Sequence, residues 1–196
     1  MGNNILFYII GGIILLYFLR SYYISENYQL KCVISSVDGK KYCVRDRVML
    51  KQAVDLLAEA VGRMKRLVDY VSKEYPNDEE VKMLKKNFNP NKITETLPTS
   101  ELTAYSENKG EKMAFCLNKT KNTGTLIDIN TLTFVAIHEL AHTMTKSIGH
   151  KQDFWKNFKF LLENAVKIGI YKPVDYKKEN QSYCGMNITD NPFYDI

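Results

Sequence analysis

The stretch HELAHTMTKSIGH, from His138 to His150, contains all three histidines of the 196-residue chain. His138 and His142 are four residues apart, so at about 100° per residue of helix they fall on one face, one turn from each other. No glycine or proline precedes Gly149 in this stretch, which favours a helix. We therefore predict a helix that turns two imidazoles, with Glu139 beside them, toward a cleft.

The predicted helix, from about Leu132 to Lys146, carries the side chains that zinc-dependent hydrolysis needs. Two neutral imidazoles at i and i+4 can both bind one Zn²⁺ at about 2.1 Å. Zinc lowers the pKa of a water molecule toward about 7, and a neighbouring carboxylate can accept its proton and pass it to a leaving amine. We predict His138 and His142 as zinc ligands and Glu139 as the catalytic base of peptide-bond hydrolysis.

A catalytic zinc needs a third protein ligand, for which the chain offers two candidates. His150 lies eight residues after His142 and follows Gly149, which lets the chain turn back. Glu163 lies 21 residues after His142, but it shares the polar face of a predicted helix with lysines at i−4 and i+4. We favour His150 as the third ligand and keep Glu163 as the alternative.

These motifs carry a resemblance to a known family. HELAH, followed by Gly149-His150 and then Phe154-Trp155, resembles the zincin metallopeptidases of the WLM and SprT-like type over about residues 100–170. The spacing of His150 is longer than is usual there. The resemblance implies an α+β, zincin-like metallopeptidase domain with helices, a small antiparallel sheet, a zinc cofactor and an edge strand that pairs with extended substrate.

A wider resemblance involves the segments NKGEKMAFCL (108–117) and YCGMNITDNPF (183–193). With these segments included, the chain is similar to uncharacterised membrane-anchored metallopeptidase-like proteins of large double-stranded DNA viruses. The resemblance implies a viral protein and carries no established substrate.

The residues before the histidine helix are expected to form its scaffold. We predict a hairpin over 31–44, an N-cap at Asp46, a long amphipathic helix from Val48 to about Tyr75, and a shorter helix capped by Asn77 or Asp78. A second hairpin is predicted over 103–117, as a structural element or as the substrate-binding edge. A further helix is predicted over about 152–168.

The amino terminus suggests a membrane anchor. Residues 5–19 have no charge, and the run extends past Arg20 to residue 24, which matches a hydrocarbon core of about 30 Å if Arg20 reaches the interface. Basic residues only follow the run, which predicts a cytosolic C-terminal domain in a host internal membrane or a virion. A cleaved signal peptide and a buried core helix are the alternatives.

The cysteines and the C-terminal tail leave several questions open. Cys32 and Cys43 flank a turn and could form a disulfide in an oxidising compartment, whereas the cytosolic prediction leaves all four cysteines reduced. The tail after residue 170 is rich in aromatic residues. Four residues of the tail are candidates for a role at the site. They could stabilise an oxyanion, lie under the metal, ligate the metal or only pack in the core. These residues are Tyr176, Tyr183, Met186 and Cys184.

The net charge of +5 comes from lysines dispersed along the chain. Dispersed lysines argue against nucleic acid as a partner.

We predict an anchor (1–25) and a zincin-like domain (26–196), divided into a scaffold (26–100), the hairpin and zinc helices (101–170) and the tail (171–196). The predicted function is membrane-anchored zinc metallopeptidase acting on protein or peptide. The alternatives are a structural membrane or virion protein that keeps zinc without turnover and a protease of DNA-bound proteins.

Overall fold

The computed structural model describes residues 2–27, 30–121 and 124–195 of the chain, so the first residue of the predicted anchor lies outside the described residues. The helices are α1 (Gly2–Asn27), α2 (Leu50–Glu74), α3 (Glu79–Asn87), α4 (Ile129–Met144) and α5 (Gln152–Lys167). The strands are β1 (Leu30–Ile34), β2 (Lys41–Arg45), β3 (Ile93–Glu95), β4 (Ala104–Glu107), β5 (Lys112–Phe115), β6 (Gln181–Tyr183) and β7 (Met186–Ile188), followed by a 3₁₀ helix at Pro192–Tyr194. The architecture is α+β, as predicted.

Helix α4 lies at the centre of the fold, with α2, α3 and α5 packed around it. Twelve of its sixteen residues are buried, because its sequence is apolar on most sides and such a helix is stable only inside a core. Helices α2 and α5 bury one apolar face each and leave their charged faces in solvent. The histidine helix is therefore held by three neighbouring helices.

A three-stranded sheet with the order β3-β5-β4 packs beside α4. Strands β4 and β5 form the predicted antiparallel hairpin, with Ala104 opposite Phe115 and Glu107 opposite Lys112. Strand β3 pairs with β5 in parallel, so the prediction of a purely antiparallel sheet is wrong. At three residues, β3 is too short for its sequence to show a period. The order leaves β4 at the edge nearest the histidine helix.

The turn between β4 and β5 packs closely against α4. Asn108, Lys109 and Gly110 all have positive φ angles, of 48°, 58° and 108°. A Cβ atom added to Gly110 would lie 2.5 Å from the Cγ2 atom of Thr143. Only glycine fits this approach, so the turn and the end of α4 are held in contact.

The predicted helix starts are partly correct. Asp78 caps α3, since its side chain accepts a hydrogen bond from the Val81 amide at 3.0 Å. Asp46 does not cap α2, because that helix begins at Leu50. Asp46 instead forms an ion pair with Lys31 at 2.5 Å, across the ends of β1 and β2.

The predicted membrane anchor is wrong. Within the described ranges, no helix combines the length and the apolar character that crossing a membrane requires. The physical reason is that the uncharged run of α1 has fifteen residues, about 22 Å of helix against a hydrocarbon core of about 30 Å, before Arg20 interrupts it. The predicted single-pass membrane localisation, with its cytosolic C-terminal domain, depended on that anchor and is overturned with it.

The sequence left the redox state of the cysteines open, and the structure pairs all four of them rather than leaving them reduced. Cys32 and Cys43 lie directly opposite each other on β1 and β2 and form a disulfide. Cys116, just after β5, forms a second disulfide with Cys184, in the turn between β6 and β7. The second bond joins residues 68 positions apart, and a sequence without paired spacing could not reveal it.

Candidate metal centre

Helix α4 begins and ends with side-chain hydrogen bonds that fix its position. The Asp128 carboxylate accepts from the Thr131 amide at 2.9 Å and from the Thr131 hydroxyl at 2.7 Å. At the other end, the Thr145 hydroxyl donates to the Ala141 carbonyl and accepts from the Asn157 amide of α5 at 3.0 Å. The two helices of the site are thereby tied together.

The segment after α4 carries His150 back to the other two histidines. Gly149 has a φ angle of 80°, a left-handed conformation that favours glycine. The Trp155 indole donates to the His150 carbonyl at 3.1 Å, and the Ser147 hydroxyl donates to Asp153 at 2.7 Å. These bonds hold the third imidazole against the start of α5.

Lys109 is a site residue that the sequence analysis missed. From the β4–β5 turn, its ammonium group donates to the carbonyls of Thr145 and Ser147, at 2.7 Å each. It therefore satisfies carbonyls at the end of α4 and holds the start of the segment that leads to His150. No sequence signal marks it, because its partners lie 36 and 38 residues away.

The three imidazoles converge through their Nε2 atoms. The Nε2 distances are 3.2 Å between His138 and His142, 3.1 Å between His142 and His150, and 3.1 Å between His138 and His150. Two nitrogens that bind one tetrahedral zinc at about 2.1 Å would lie about 3.4 Å apart. The donor type, the number of donors and their spacing fit such a metal, so this histidine cluster could hold a metal ion.

The surroundings of the cluster keep two of the histidines neutral. Burial, followed by the charges of the other two histidines, lowers the pKa of His138 to about 3. Burial, followed by the charges of His150 and Lys109, lowers the pKa of His142 to about 4. Phe154 packs against both rings, with its ring centroid 4.4 Å from that of His142 and 4.9 Å from that of His138. Neutral imidazole is the form that binds metal.

Glu139 lies beside the cluster and is 5% exposed. Burial raises the pKa of its carboxyl group to about 7. Tyr183 is buried close by, and its pKa is raised by burial and then by the charge of Glu139. The Tyr183 hydroxyl donates to the Thr103 carbonyl at 3.1 Å, just before β4. A carboxyl group with a pKa near 7 can both accept and donate a proton at neutral pH.

Two cavities open on either side of Glu139 and His138. The larger, of about 530 Å³, also involves the other two histidines and the segment from Ala104 to Lys109. The smaller, of about 330 Å³, involves Thr103 and Ala104 and is otherwise lined by α4, α5 and the tail. We call the first the histidine cavity and the second the apolar cavity. Strand β4 runs past both.

The remaining candidates lie away from the histidine cluster or have another partner. Glu163 is exposed on α5 and is not a member of the cluster. Tyr176 packs in the core, with its ring 4.9 Å from that of Phe134. Cys184 has no free thiolate, because it is bonded to Cys116.

Met186 lies in the tail, at a cavity that His138 also lines. It is 48% exposed and lines the apolar cavity, while Phe154 packs against all three imidazole rings. The Phe-Trp pair after Asp153 was the signal for this role, since both aromatic residues of the pair contact the ring of His150.

Comparison with known proteins identifies related chains. Residues 64–193 match the WLM domain, a range that includes α4, α5 and most of the tail. An uncharacterised protein of Acanthamoeba polyphaga mimivirus is 30% identical over 187 residues, which cover 93% of each chain. An uncharacterised protein of Invertebrate iridescent virus 6 is 37% identical over 76 residues, 38% of this chain and 42% of that protein. No solved structure matches the chain significantly.

Proposed function

The chain belongs to the WLM domain family and has viral relatives, and from that premise we propose that it is a zinc metallopeptidase that hydrolyses peptide bonds. One observation carries the proposal: three imidazoles converge within 3.2 Å of one another beside a buried carboxyl group. His138, His142 and His150 would hold the zinc. Bound there, zinc would polarise a carbonyl group and lower the pKa of water.

Glu139 is the acid–base group of the proposed reaction. Its pKa of about 7 suits a group that takes a proton from the attacking water and then gives it to the leaving amine. It lines both cavities, so a peptide that crosses from one to the other passes its carboxyl group. Phe154 would position the imidazoles through ring packing and would touch no substrate.

Strand β4 would bind the backbone of the substrate. As the edge of its sheet, it offers backbone donors and acceptors on the side away from β5. Ala104, Tyr105 and Ser106 line the histidine cavity. An extended peptide added to this edge would form main-chain hydrogen bonds and leave its scissile bond beside Glu139. The proposed substrate is therefore a protein or peptide in an extended conformation.

The proposal is tested by measuring zinc content and cleavage of an unfolded protein substrate. We expect about one zinc per chain in the wild type and in Glu139→Gln. Cleavage should fall at least ~100-fold in Glu139→Gln, because general acid–base catalysis contributes that much or more. Glu163→Gln, the same change at an exposed carboxylate, is the matched control and should retain full activity.

Two results would contradict the proposal. Wild-type protein that contains no zinc after purification with zinc would remove the metal assignment. Zinc at full occupancy with no cleavage would favour the alternative of a structural zinc site. The burial of Glu139 argues against that alternative, because a buried carboxyl group costs stability and a structural site has no use for it.

A further inference from the structure

The pairing of all four cysteines is typical of proteins that fold in an oxidising compartment. Cys32 is exposed on β1, so small reducing thiols would have access to its bond with Cys43. An accessible disulfide persists only where the surrounding thiol pool is oxidising. The disulfides therefore indicate an oxidising compartment, the environment in which asparagine side chains of secreted proteins are glycosylated.

The sequence contains three acceptor motifs for N-linked glycans, of the form Asn-x-Ser or Asn-x-Thr, at residues 118–120, 180–182 and 187–189. A motif this short also arises by chance, so the motif alone selects none of them. An N-linked glycan is bulky and solvated, and the folded protein must therefore present its acceptor at the surface. The exposure of each asparagine decides which motifs can be used.

Asn118 has no room for a glycan in this fold. Its side chain is buried, with the residue only 5% exposed, and its amide oxygen accepts a hydrogen bond from Arg47 at 2.6 Å. Its backbone carbonyl accepts from the Cys184 amide at 2.9 Å, beside the disulfide that attaches the tail. A glycan on this side chain would need the space that these contacts occupy.

Asn180 and Asn187 both lie exposed on the β6–β7 hairpin, the first just before β6 and the second on β7. Within the part of the chain that the structure describes, neither side-chain amide forms a hydrogen bond, so a glycan on either would displace no contact. Thr189, the hydroxyl residue of the second motif, is exposed as well. Asn187 lies at the edge of the apolar cavity, from which its glycan would extend into solvent.

The hydroxyl residue of the first motif is held by the fold. The Ser182 hydroxyl donates to the Lys119 carbonyl at 3.0 Å and is half-buried. The motif at Asn180 is therefore complete only before the hairpin docks on the chain after β5, which places its modification during synthesis. The motif at Asn187 stays accessible after folding.

We propose that Asn180 and Asn187 are N-glycosylation sites and that Asn118 is not. The side-chain amide nitrogen forms a bond to the anomeric carbon of an oligosaccharide, and the bond from that carbon to a lipid-linked diphosphate breaks. The amide loses one proton, and the diphosphate leaves with the bonding electron pair. A glycosyltransferase of the host cell catalyses this step. The inference is independent of the peptidase assignment.

The test uses the full chain produced in cultured eukaryotic cells. Treatment with a peptide-N-glycosidase should increase its electrophoretic mobility, and because the enzyme converts each glycosylated asparagine to aspartate, peptide mass spectrometry identifies the acceptors. We expect aspartate at positions 180 and 187 and asparagine at 118. Alkylation of the unfolded chain without reductant, followed by mass spectrometry, should find none of the four cysteines labelled.

Variants at exposed positions separate the two sites. Asn180→Gln and Thr189→Ala should each remove one glycan, and the double variant should migrate alike with and without the glycosidase. Thr189→Ser keeps the motif and should retain both glycans. Asn77→Gln, the same amide change at an exposed asparagine outside any motif, is the matched control and should also retain both.

Three results would overturn the inference. Unmodified asparagine at positions 180 and 187 in a chain with both disulfides intact would show that the exposed motifs are not used. A glycan at Asn118 would show that burial in the fold does not select the acceptor. Labelled cysteines together with three unmodified asparagines would remove the oxidising compartment as well. Zinc content and cleavage, measured on the same preparations, report on the peptidase assignment separately.

Discussion

At the scale of single residues, Glu139 is a buried carboxyl group that the proposed reaction requires in its ionised form. It is 5% exposed, and burial raises the pKa of its carboxyl group from 4.5 to about 7. In the unfolded chain the same group ionises near its ordinary pKa. Below pH 4.5 both states hold the proton, and between pH 4.5 and 7 only the native state holds it. The stability that the protonated Glu139 carboxyl group contributes is therefore fully present below pH 4.5 and is lost as pH rises to about 7.

This linkage predicts a pH-dependent gain of stability for Glu139→Gln in the metal-free protein. Glutamine cannot ionise, so the variant should gain ~2–3 kcal/mol over the wild type between pH 5 and pH 8. The measurement is urea unfolding in the presence of a chelator at both pH values. Comparison with wild type cancels the opposite contribution of His138 and His142, whose lowered pKa values cost stability at acidic pH.

Glu163→Gln is the control for this experiment, because Glu163 is exposed on α5. Its stability difference from wild type should be the same at pH 5 and pH 8. A Glu139→Gln difference that does not grow with pH would mean that Glu139 is solvated in the native state.

At the scale of elements, both the edge strand and the turn of the β4–β5 hairpin contribute to the site. Its edge strand faces the cavities, and its turn places the Lys109 ammonium group on the carbonyls of Thr145 and Ser147. The Lys109 charge has two opposing effects on the affinity of the site for a metal ion. It repels a cation, and it holds the segment that leads to His150. Bonds from a charged donor contribute about 1.5–3 kcal/mol, whereas a partly exposed charge contributes about 0–1 kcal/mol, so the positioning effect should dominate.

Lys109→Met is therefore expected to weaken zinc binding by about 10- to 100-fold, as loss of a supporting hydrogen bond does at other metal sites. Methionine keeps an unbranched apolar stem and removes the donors. The zinc dissociation constant would be measured by competition with a chromophoric chelator. Lys112→Met, on the same hairpin but at a half-buried lysine whose ammonium group pairs with Glu107, is the control. Tighter binding in Lys109→Met would show that repulsion outweighs positioning.

At the scale of the whole molecule, long-range links hold the scaffold, the sheet and the tail around α4. Arg45 and Arg47 on and after β2 pair with the buried Glu95 of β3, which attaches the first hairpin to the sheet. The Cys116–Cys184 disulfide attaches the tail to the end of β5. Because the tail supplies Tyr183 and one wall of the apolar cavity, this bond also maintains the site.

The two disulfides are predicted to differ in their contribution to stability. In the chain-entropy description, loss of the Cys116–Cys184 bond costs about 4 kcal/mol, and loss of the Cys32–Cys43 bond costs about 3 kcal/mol, because the former closes the longer loop. Each cysteine pair would be replaced by alanine and the free energy of unfolding measured in urea. A larger loss for the Cys32–Cys43 pair would contradict this ordering.

Much of the site could be predicted because it depends on local periodicity. Residues four apart on a helix share a face whatever the fold, so His138, Glu139 and His142 had a predictable arrangement. Short-range signals likewise predicted the Asp78 cap and the β4–β5 hairpin. The prediction of a membrane anchor was wrong because the apolar run in the sequence resembles a membrane span but is shorter than one.

The sequence by itself determined the α+β class, the histidine helix and the spacing of its two imidazoles, because these follow from repeats of three to four residues. Only the tertiary structure decided that His150 rather than Glu163 lies beside them, and only it revealed the role of Lys109, the Cys116–Cys184 disulfide and the apolar cavity. Each of these joins segments that lie far apart in the chain or depends on how neighbouring elements pack. Such contacts depend on the packing of the whole core, which no local pattern records.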